Sequence, residues 1–138
     1  MLSLFLHKNY AEYVKFIHPK ILELFGGKDK MMSTLQTSMR QMKEQGFEIE
    51  NVTVGTIKSI IVIPGELQSV VPQIVELKTA DAKIISNGYL IGISNDYGKT
   101  WHFIDTGGKK LKQVQEIFPT LDSRLVIPTR QQPLVYKN

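Results

Sequence analysis

The sequence contains no cysteine, which excludes a disulfide, a thiolate metal site and a cysteine nucleophile. It also lacks any apolar run approaching the ~20 residues of a membrane-spanning helix. The apolar start, residues 1–6, is too short for the apolar region of a signal peptide, and no positive segment precedes it. No membrane span and no export signal are therefore predicted. A longer precursor with an upstream start would change this expectation, so the compartment stays open.

Charge of one sign is not concentrated anywhere in the chain. The 17 Lys and Arg residues exceed the 13 Asp and Glu residues by four, and the excess is spread as short pairs such as Lys109-Lys110. A nucleic-acid-binding surface normally collects its basic residues on one face, often with stacking aromatics between them. The pattern favours an ordinary solvated surface with a mild positive bias, and no nucleic-acid partner is predicted.

The usual signatures of metal, phosphate and serine chemistry are missing. The histidines His7, His18 and His102 have no partner at the spacings that bind metal ions. Gly26-Gly27-Lys28 precedes a helix but lacks the second spaced glycine and the Lys-Ser/Thr pair of a phosphate-binding loop. No G-x-S-x-G element is present. The sequence therefore predicts no metal site and no cofactor.

The first third of the chain has the apolar period of helices. One stripe is interrupted at His18-Pro19, because the residue before proline is pushed out of the helical region and Pro19 is suited to open the next helix. A second long helix is predicted over Lys28–Gln45 and ends at Gly46. The first stripe comprises Leu2, Phe5, Leu6, Tyr10, Tyr13, Val14 and Ile17, and the second comprises Met31, Met32, Leu35, Met39 and Met42. Methionine stripes line adaptable binding grooves in some proteins, but core packing is the favoured interpretation here.

Beyond Gly46 the pattern changes to alternation and β-branched residues, which is typical of strands. Pro72 cannot donate a hydrogen bond, so it predicts an edge position or a bulge. A short helix follows, and residues 119–138 are expected to pack as an extended strap. The predicted segments are a first strand from Phe47–Glu50 through Val52–Ile63, then Leu67–Leu77, Lys83–Ser94, Thr100–Thr106 and the helix Lys110–Phe118. Helices followed by strands predict a single α+β domain over residues 1–138, with helices covering one face of an antiparallel sheet.

The segment from Ser94 to Trp101 resembles the Asp-box of sialidases and related propellers, which reads S-x-D-x-G-x-T-W. The box is structural in those proteins and recurs in several blades. Here it occurs once, in a chain too short for a propeller. It predicts a hairpin turn in which an aspartate accepts backbone hydrogen bonds and glycine supplies a positive φ.

Asp105 is the carboxylate that best fits a catalytic role. It alternates onto the same face as Trp101 and Phe103, so burial there would raise its pKa and suit it to general-base chemistry. The favoured alternative is that its side chain caps the turn that begins at Thr106. His18 is a candidate pocket residue, although a hydrogen-bonded structural role is favoured, and alternation predicts that His102 is exposed.

The order of elements over residues 1–118 resembles the nuclear transport factor 2-like superfamily. The resemblance depends on the helix entering Asn9-Tyr10-Ala11-Glu12-Tyr13, the His18-Pro19 break, the Phe25-Gly26-Gly27-Lys28 turn, and a strand reading Trp101-His102-Phe103-Ile104-Asp105. It implies a cone formed by a strongly curved antiparallel sheet around the helices, with a pocket at the open end. The implied pocket-lining candidates are Tyr13, His18, Gln73, Tyr89, Trp101, Phe103 and Asp105, with Asp105 and His18 as the candidates for catalysis.

Three functions are compatible with this resemblance, because a fold alone does not select one. The first is non-catalytic binding of a small apolar or amphipathic ligand, or of a protein partner. The second is a lyase, isomerase or hydrolase that uses Asp105 as general base. The third is a structural homodimer that pairs through the sheet.

Overall fold

A computed structural model describes residues 9–57, 60–129 and 131–137. Its helices are α1 (Tyr10–Tyr13), followed by a 3₁₀ turn (Val14–Phe16), α2 (Pro19–Leu24), α3 (Lys28–Glu44) and α4 (Leu111–Ile117). Its strands are β1 (Glu48–Val54), β2 (Ile60–Ile63), β3 (Glu66–Lys78), β4 (Ala82–Ser94), β5 (His102–Asp105) and β6 (Leu134–Lys137).

The long β3–β4 hairpin is the central element of the sheet. Its two 13-residue strands pair without interruption from Leu67↔Ser94 to Lys78↔Lys83. On one side β1 and β2 lie end to end along β3, and on the other β6 and β5 lie end to end along β4. All these strand pairs are antiparallel, which confirms the predicted α+β class. The six-stranded sheet is not strongly curled, so the strong curvature of the predicted cone is not shown.

The predicted strand over Val52–Ile63 is wrong in its length, because β1 ends at Val54 and β2 starts at Ile60. The break lies opposite Pro72, whose carbonyl accepts a hydrogen bond from Gly55 N at 2.9 Å. The N–H and C=O of one residue point to the same side of an antiparallel strand. The nitrogen of Pro72, which carries no hydrogen, therefore also faces this break, where β3 has no ladder partner to bond. Residues 58 and 59 lie outside the described residues.

The predicted break at His18-Pro19 is confirmed. Ile17 has an extended backbone and forms a parallel bridge with Phe103, and Pro19 opens α2. The first helix therefore ends earlier than the apolar stripe predicts. The members of this stripe at Leu2, Phe5 and Leu6 lie outside the described residues.

Helix α3 matches its prediction to within one residue and is followed by Gly46 at φ 88°. The first part of its methionine stripe packs as core, as favoured, whereas Met39 and Met42 are half-buried and belong to neither core cluster of the described residues. Met31 is buried with Val14 and Leu22, and Met32 and Leu35 pack against them.

The main core lies between one face of the sheet and the C-terminal part of the chain. Its buried members are Ile91, Ile93, Ile104, Val114, Phe118, Leu121 and Leu125. The last two belong to the predicted strap, which thus packs through apolar side chains before Leu134–Lys137 adds a strand that the sequence did not predict.

Gln68 is fully buried and connects the strap to β3. Its Nε2 donates to Thr120 O at 3.0 Å and to Glu66 Oε2 at 2.6 Å, and its Oε1 accepts from Asp122 N at 2.8 Å. The buried amide therefore satisfies two backbone groups of the strap, which would otherwise lose their hydrogen bonds when packed against the sheet.

Candidate functional site

A cleft of about 550 Å³ lies where the outer edge of β4 has no neighbouring strand. β5 reaches only Leu90, and β6 begins opposite Ile85, so residues 86–89 are left between the two. We call this space the β4 cleft. Its lining combines backbone, hydroxyl, amide, apolar and ammonium groups from Gly88, Tyr89, Thr106, Gly108, Lys109, Lys110, Leu111, Lys112, Gln115, Ser123, Ile127, Pro128 and Thr129.

The loop that connects β5 to α4 forms one wall of the cleft and is held at both ends. Thr106 is buried, and its N and Oγ1 both donate to Tyr89 O, at 3.2 and 2.8 Å. Gly107 and Gly108 follow with φ of 60° and 80°, a conformation that costs glycine little and strains other residues. Lys109 N then donates back to Thr106 O at 3.0 Å. The tight turn directs the chain from the strand into the cleft wall.

The start of α4 is fixed in a similar way. Lys110 N donates to Gln113 Oε1 at 2.9 Å, which places the first turn of the helix directly after the glycine loop. Lys109, Lys110 and Lys112 therefore line the cleft on a segment whose backbone is constrained by hydrogen bonds.

The opposite wall comes from the strap. Gln115 Nε2 donates to Leu121 O at 2.9 Å and to Ser123 Oγ at 3.4 Å, which connects α4 to the strap. Ile127 lines the cleft and also packs against the main core. Both walls are thus attached to the sheet.

The charge of the cleft is of one sign. Among the described residues, the lining contains three lysines and no aspartate or glutamate. The ion pairs within the described ranges involve Lys15, Lys83, Arg40 and Arg124, and none involves a cleft lysine. The positive charge of the cleft is therefore not neutralised by a direct carboxylate partner in the described part of the chain.

Asp105, the candidate general base, is exposed. Its Oδ1 accepts a hydrogen bond from Gly107 N at 2.9 Å, which is the turn cap that we favoured. The apolar surroundings on which the catalytic hypothesis depended are absent, because the carboxylate lies at the surface. Its position instead helps to start the glycine loop that forms the cleft wall.

Tyr13 lies near Asp105 and is half-buried. Burial in the first place, and the negative charge of Asp105 in the second, raise the pKa of Tyr13 to about 12. The phenol therefore stays protonated at neutral pH.

His18 has the structural role that we favoured. Its Nδ1 accepts from Lys20 N at 3.1 Å, and its ring packs edge-to-face on Phe118 at 4.8 Å. Burial, and then the charges of His102 and Lys20, lower the pKa of His18 against the opposing effect of Glu66. The expectation of an exposed His102 is wrong, since this ring is half-buried and its centroid lies 6.5 Å from that of His18. Alternation within β5 does not reveal that His18 packs beside its face.

The seven predicted pocket residues are divided between the two faces of the sheet, because directly paired residues share a face. Gln73 pairs with Gly88, Phe103 with Gly92 and Asp105 with Leu90, so these three lie on one face together with Trp101, whose ring also contacts the Gly92 position. Tyr89 and His18 lie toward the other face, where His102 pairs with Ile93. Tyr13 lies near Asp105. The described residues therefore do not bring all seven to one cavity, and Tyr89 is the one among them that lines the β4 cleft.

The Asp-box-like segment forms the predicted hairpin turn between β4 and β5. Asp96 Oδ1 accepts from Thr100 N at 2.8 Å and from Ser94 Oγ at 2.9 Å, and its Oδ2 accepts from Thr100 Oγ1 at 2.5 Å. The hydrogen bonds from the Thr100 side chain and backbone are the main causes that lower the pKa of Asp96 to about 2. The carboxylate of Asp96 forms its hydrogen bonds within the turn and does not line the cleft.

Within residues 9–57, 60–129 and 131–137, no group of three or more His, Asp or Glu side chains is arranged to hold a metal ion. No helix in these ranges has both the length and the apolar character needed to cross a membrane. No protein-family model, curated protein or solved structure matches the chain.

Sequence reasoning missed the cleft because its parts are distant in the chain. The available signal was Thr106-Gly107-Gly108-Lys109-Lys110, which we interpreted as a turn followed by ordinary surface charge. Only the ending of β5 and the return of the strap beside it turn that segment into a cavity wall.

Proposed function

We propose that this chain is a non-catalytic binding domain that takes a small amphipathic ligand in the β4 cleft. The observation that carries the proposal is a cleft of about 550 Å³ with mixed polar and apolar lining, whose walls are held by hydrogen bonds. Small-molecule sites typically have volumes of about 300–1,000 Å³ and combine apolar walls with a few polar groups. Leu111, Ile127 and Pro128 supply apolar surface, and Thr106 and Gln115 are among the polar groups.

The exposed turn cap at Asp105 favours binding over catalysis. A general base needs a matched pKa and a reacting group within reach, and burial is the usual means of raising a carboxyl pKa. Asp105 accepts a hydrogen bond from Gly107 and lies on the surface. A lyase, isomerase or hydrolase based on Asp105 is therefore the weaker hypothesis.

The proposal is tested by filling the cleft. A library of small apolar and amphipathic compounds is screened by thermal shift against the native chain and against Thr129→Trp, in which a large ring occupies part of the cleft. Thr37→Trp is the matched control, since Thr37 is an exposed position on α3 that does not line the cleft. We expect hits that stabilise the native chain and Thr37→Trp but not Thr129→Trp.

Two results contradict the proposal: no compound stabilises the native chain, or the hits stabilise Thr129→Trp equally well. A urea midpoint of Thr129→Trp close to that of the native chain shows that loss of binding is not loss of folding.

A structural homodimer is the second candidate function, and the edge strand β2 favours it. Its four residues carry no charge, and Ile60 and Val62 are 50% and 66% exposed. Uncharged, exposed edge strands are templates for pairing with another chain, and antiparallel pairing of β2 with its copy has the two-fold symmetry of a dimer. We expect light scattering after size exclusion to give twice the monomer mass and Val62→Lys to restore the monomer. A monomeric native chain at high concentration contradicts this candidate.

The relation to the nuclear transport factor 2-like superfamily stays a proposal. The order of helices followed by an antiparallel sheet supports it. An experimental structure with a strongly bent sheet and a pocket at its open end would be the direct test.

A further inference from the structure

We propose that the ligand of the β4 cleft is an anion with an apolar body, such as a medium-chain carboxylate, and this inference rests on the proposed binding function. The polar and apolar groups are distributed as such a molecule requires. Lys109, Lys110 and Lys112 form a cationic rim on one segment, and Ile127 and Pro128 supply apolar surface from the strap.

The β4 cleft collects three lysines on one short segment of the chain. Three other lysines in the described ranges have direct acceptors: Lys15 pairs with Glu12, Lys83 pairs with Glu76, and Lys20 Nζ donates to Ile117 O. The remaining described lysines lie no closer together along the chain than Lys28 and Lys30, whereas three line the cleft. The cleft lysines lie within four consecutive positions and have no carboxylate within ion-pair distance in the described part of the chain. Like charges held close together repel, and an anion placed between them relieves the repulsion.

The rigidity of the wall supports binding over a chance cluster of charges. The loop is fixed by the hydrogen bonds of Thr106 to Tyr89 and of Lys109 N to Thr106, and the first turn of α4 by Gln113. A backbone that is already in place lowers the entropic cost of binding a ligand. The lysine side chains themselves keep their flexible stems, which suits ligands whose anionic group varies in position.

The apolar wall excludes a purely inorganic ion as the best ligand. Ile127 and Leu111 are both half-buried and both pack against the main core. Phosphate or chloride would leave this surface in contact with water, whereas an alkyl or aryl body covers it. Burial of apolar surface contributes roughly 25 cal/mol per Å².

The experiment compares probes that share one body and differ in charge. Octanoate, 1-octanol, octylammonium and inorganic phosphate are titrated separately into the native chain at low salt and followed by ¹H–¹⁵N NMR. We expect octanoate to bind at least about tenfold more tightly than 1-octanol, a difference of about 1.4 kcal/mol. Octylammonium and phosphate are expected to bind more weakly than octanoate. Added salt should weaken the binding of octanoate and leave the affinity for 1-octanol nearly unchanged.

Charge variants locate the effect. Lys109→Gln combined with Lys110→Gln and Lys112→Gln should remove the preference of octanoate over 1-octanol while 1-octanol still binds. Lys99→Gln is the control, since Lys99 is exposed on the Asp-box-like turn and does not line the cleft. It should retain octanoate affinity to within about twofold.

The possible failures are distinguishable. If 1-octanol binds as tightly as octanoate, the anionic inference is overturned and the binding function stands. If phosphate binds as tightly as octanoate, the inference that the ligand has an apolar body is overturned. If no probe binds, this inference and the binding function both fail for ligands of this class. If the protein sediments with phosphatidylglycerol vesicles but does not bind octanoate, the anion it recognises lies on a membrane surface. That result overturns the inference that the ligand is a free small molecule.

Discussion

Replacing Gln68 with leucine tests how the strap is attached to the sheet. The change keeps a side chain of similar length but removes the donor to Thr120 O and the acceptor for Asp122 N. An unmade hydrogen bond at a buried group costs about 1–3 kcal/mol, and the added apolar surface offsets part of that loss. We expect Gln68→Leu to reduce the free energy of unfolding by about 2–4 kcal/mol, which corresponds to a fall in Tm on the order of 10 °C in a domain of this size.

Urea denaturation followed by circular dichroism gives the free energy of unfolding, and hydrogen exchange at Asp122 N–H reports the local contact. Gln73→Leu is the matched control, because Gln73 lies on the same strand, is half-buried and makes no side-chain hydrogen bond in the described part of the chain. Its stability should change by no more than about 0.5 kcal/mol. Equal urea midpoints for the two variants, together with unchanged protection of Asp122 N–H, would refute the assigned role of Gln68.

Three further outcomes are expected. Because the pKa of Asp96 is lowered from 3.8 to about 2, its carboxylate stabilises the fold above pH 4, and this contribution is lost as the pH falls from 3.8 to 2. The urea midpoint measured across this pH range should therefore fall less steeply in Asp96→Asn than in the native chain. An equal slope in the two proteins contradicts the assignment. Asp105→Asn keeps an acceptor for Gly107 N, so the free energy of unfolding should change by about 1 kcal/mol or less. In the same variant, NMR titration should show the pKa of Tyr13 below about 12 but still above 10.0, because burial raises this pKa more than the charge of Asp105 does. Gly92→Ala places a methyl group 3.1–3.3 Å from Ser69, Phe103 and Trp101 and should destabilise the fold by about 1–3 kcal/mol, whereas Gly88→Ala, with nothing within 4 Å of the new methyl group, should have little effect on the urea midpoint.

Features that depend on a few neighbouring residues were predicted well from the sequence. The His18-Pro19 break, Gly46 after α3 and the Ser94–Trp101 turn each follow from local backbone preferences and side-chain hydrogen bonds.

Features that depend on distant parts of the chain were not predicted. Alternation assigns Gln68 to a face of β3, but it does not show that the backbone at Thr120 and Asp122 returns there. β6 was missed because its four residues lie in a proline-containing tail and pair with β4 about 50 positions earlier. The catalytic hypothesis for Asp105 failed to locate the cavity because it used the pattern of β5 alone, whereas the cleft is formed by the place where β5 ends.

The end-to-end arrangement of short strands around the β3–β4 hairpin has a consequence for the order of folding. The hairpin closes a turn of only a few residues at Thr79–Asp81, so its contacts form early at small entropic cost. The two strap residues that bond Gln68 lie 52 and 54 positions further along the chain, so we expect the strap to dock late. The β4 cleft is complete only after that last step. If the strap docks late, we expect a ligand of the cleft to leave the rate of hairpin formation unchanged and to slow the release of the strap during unfolding.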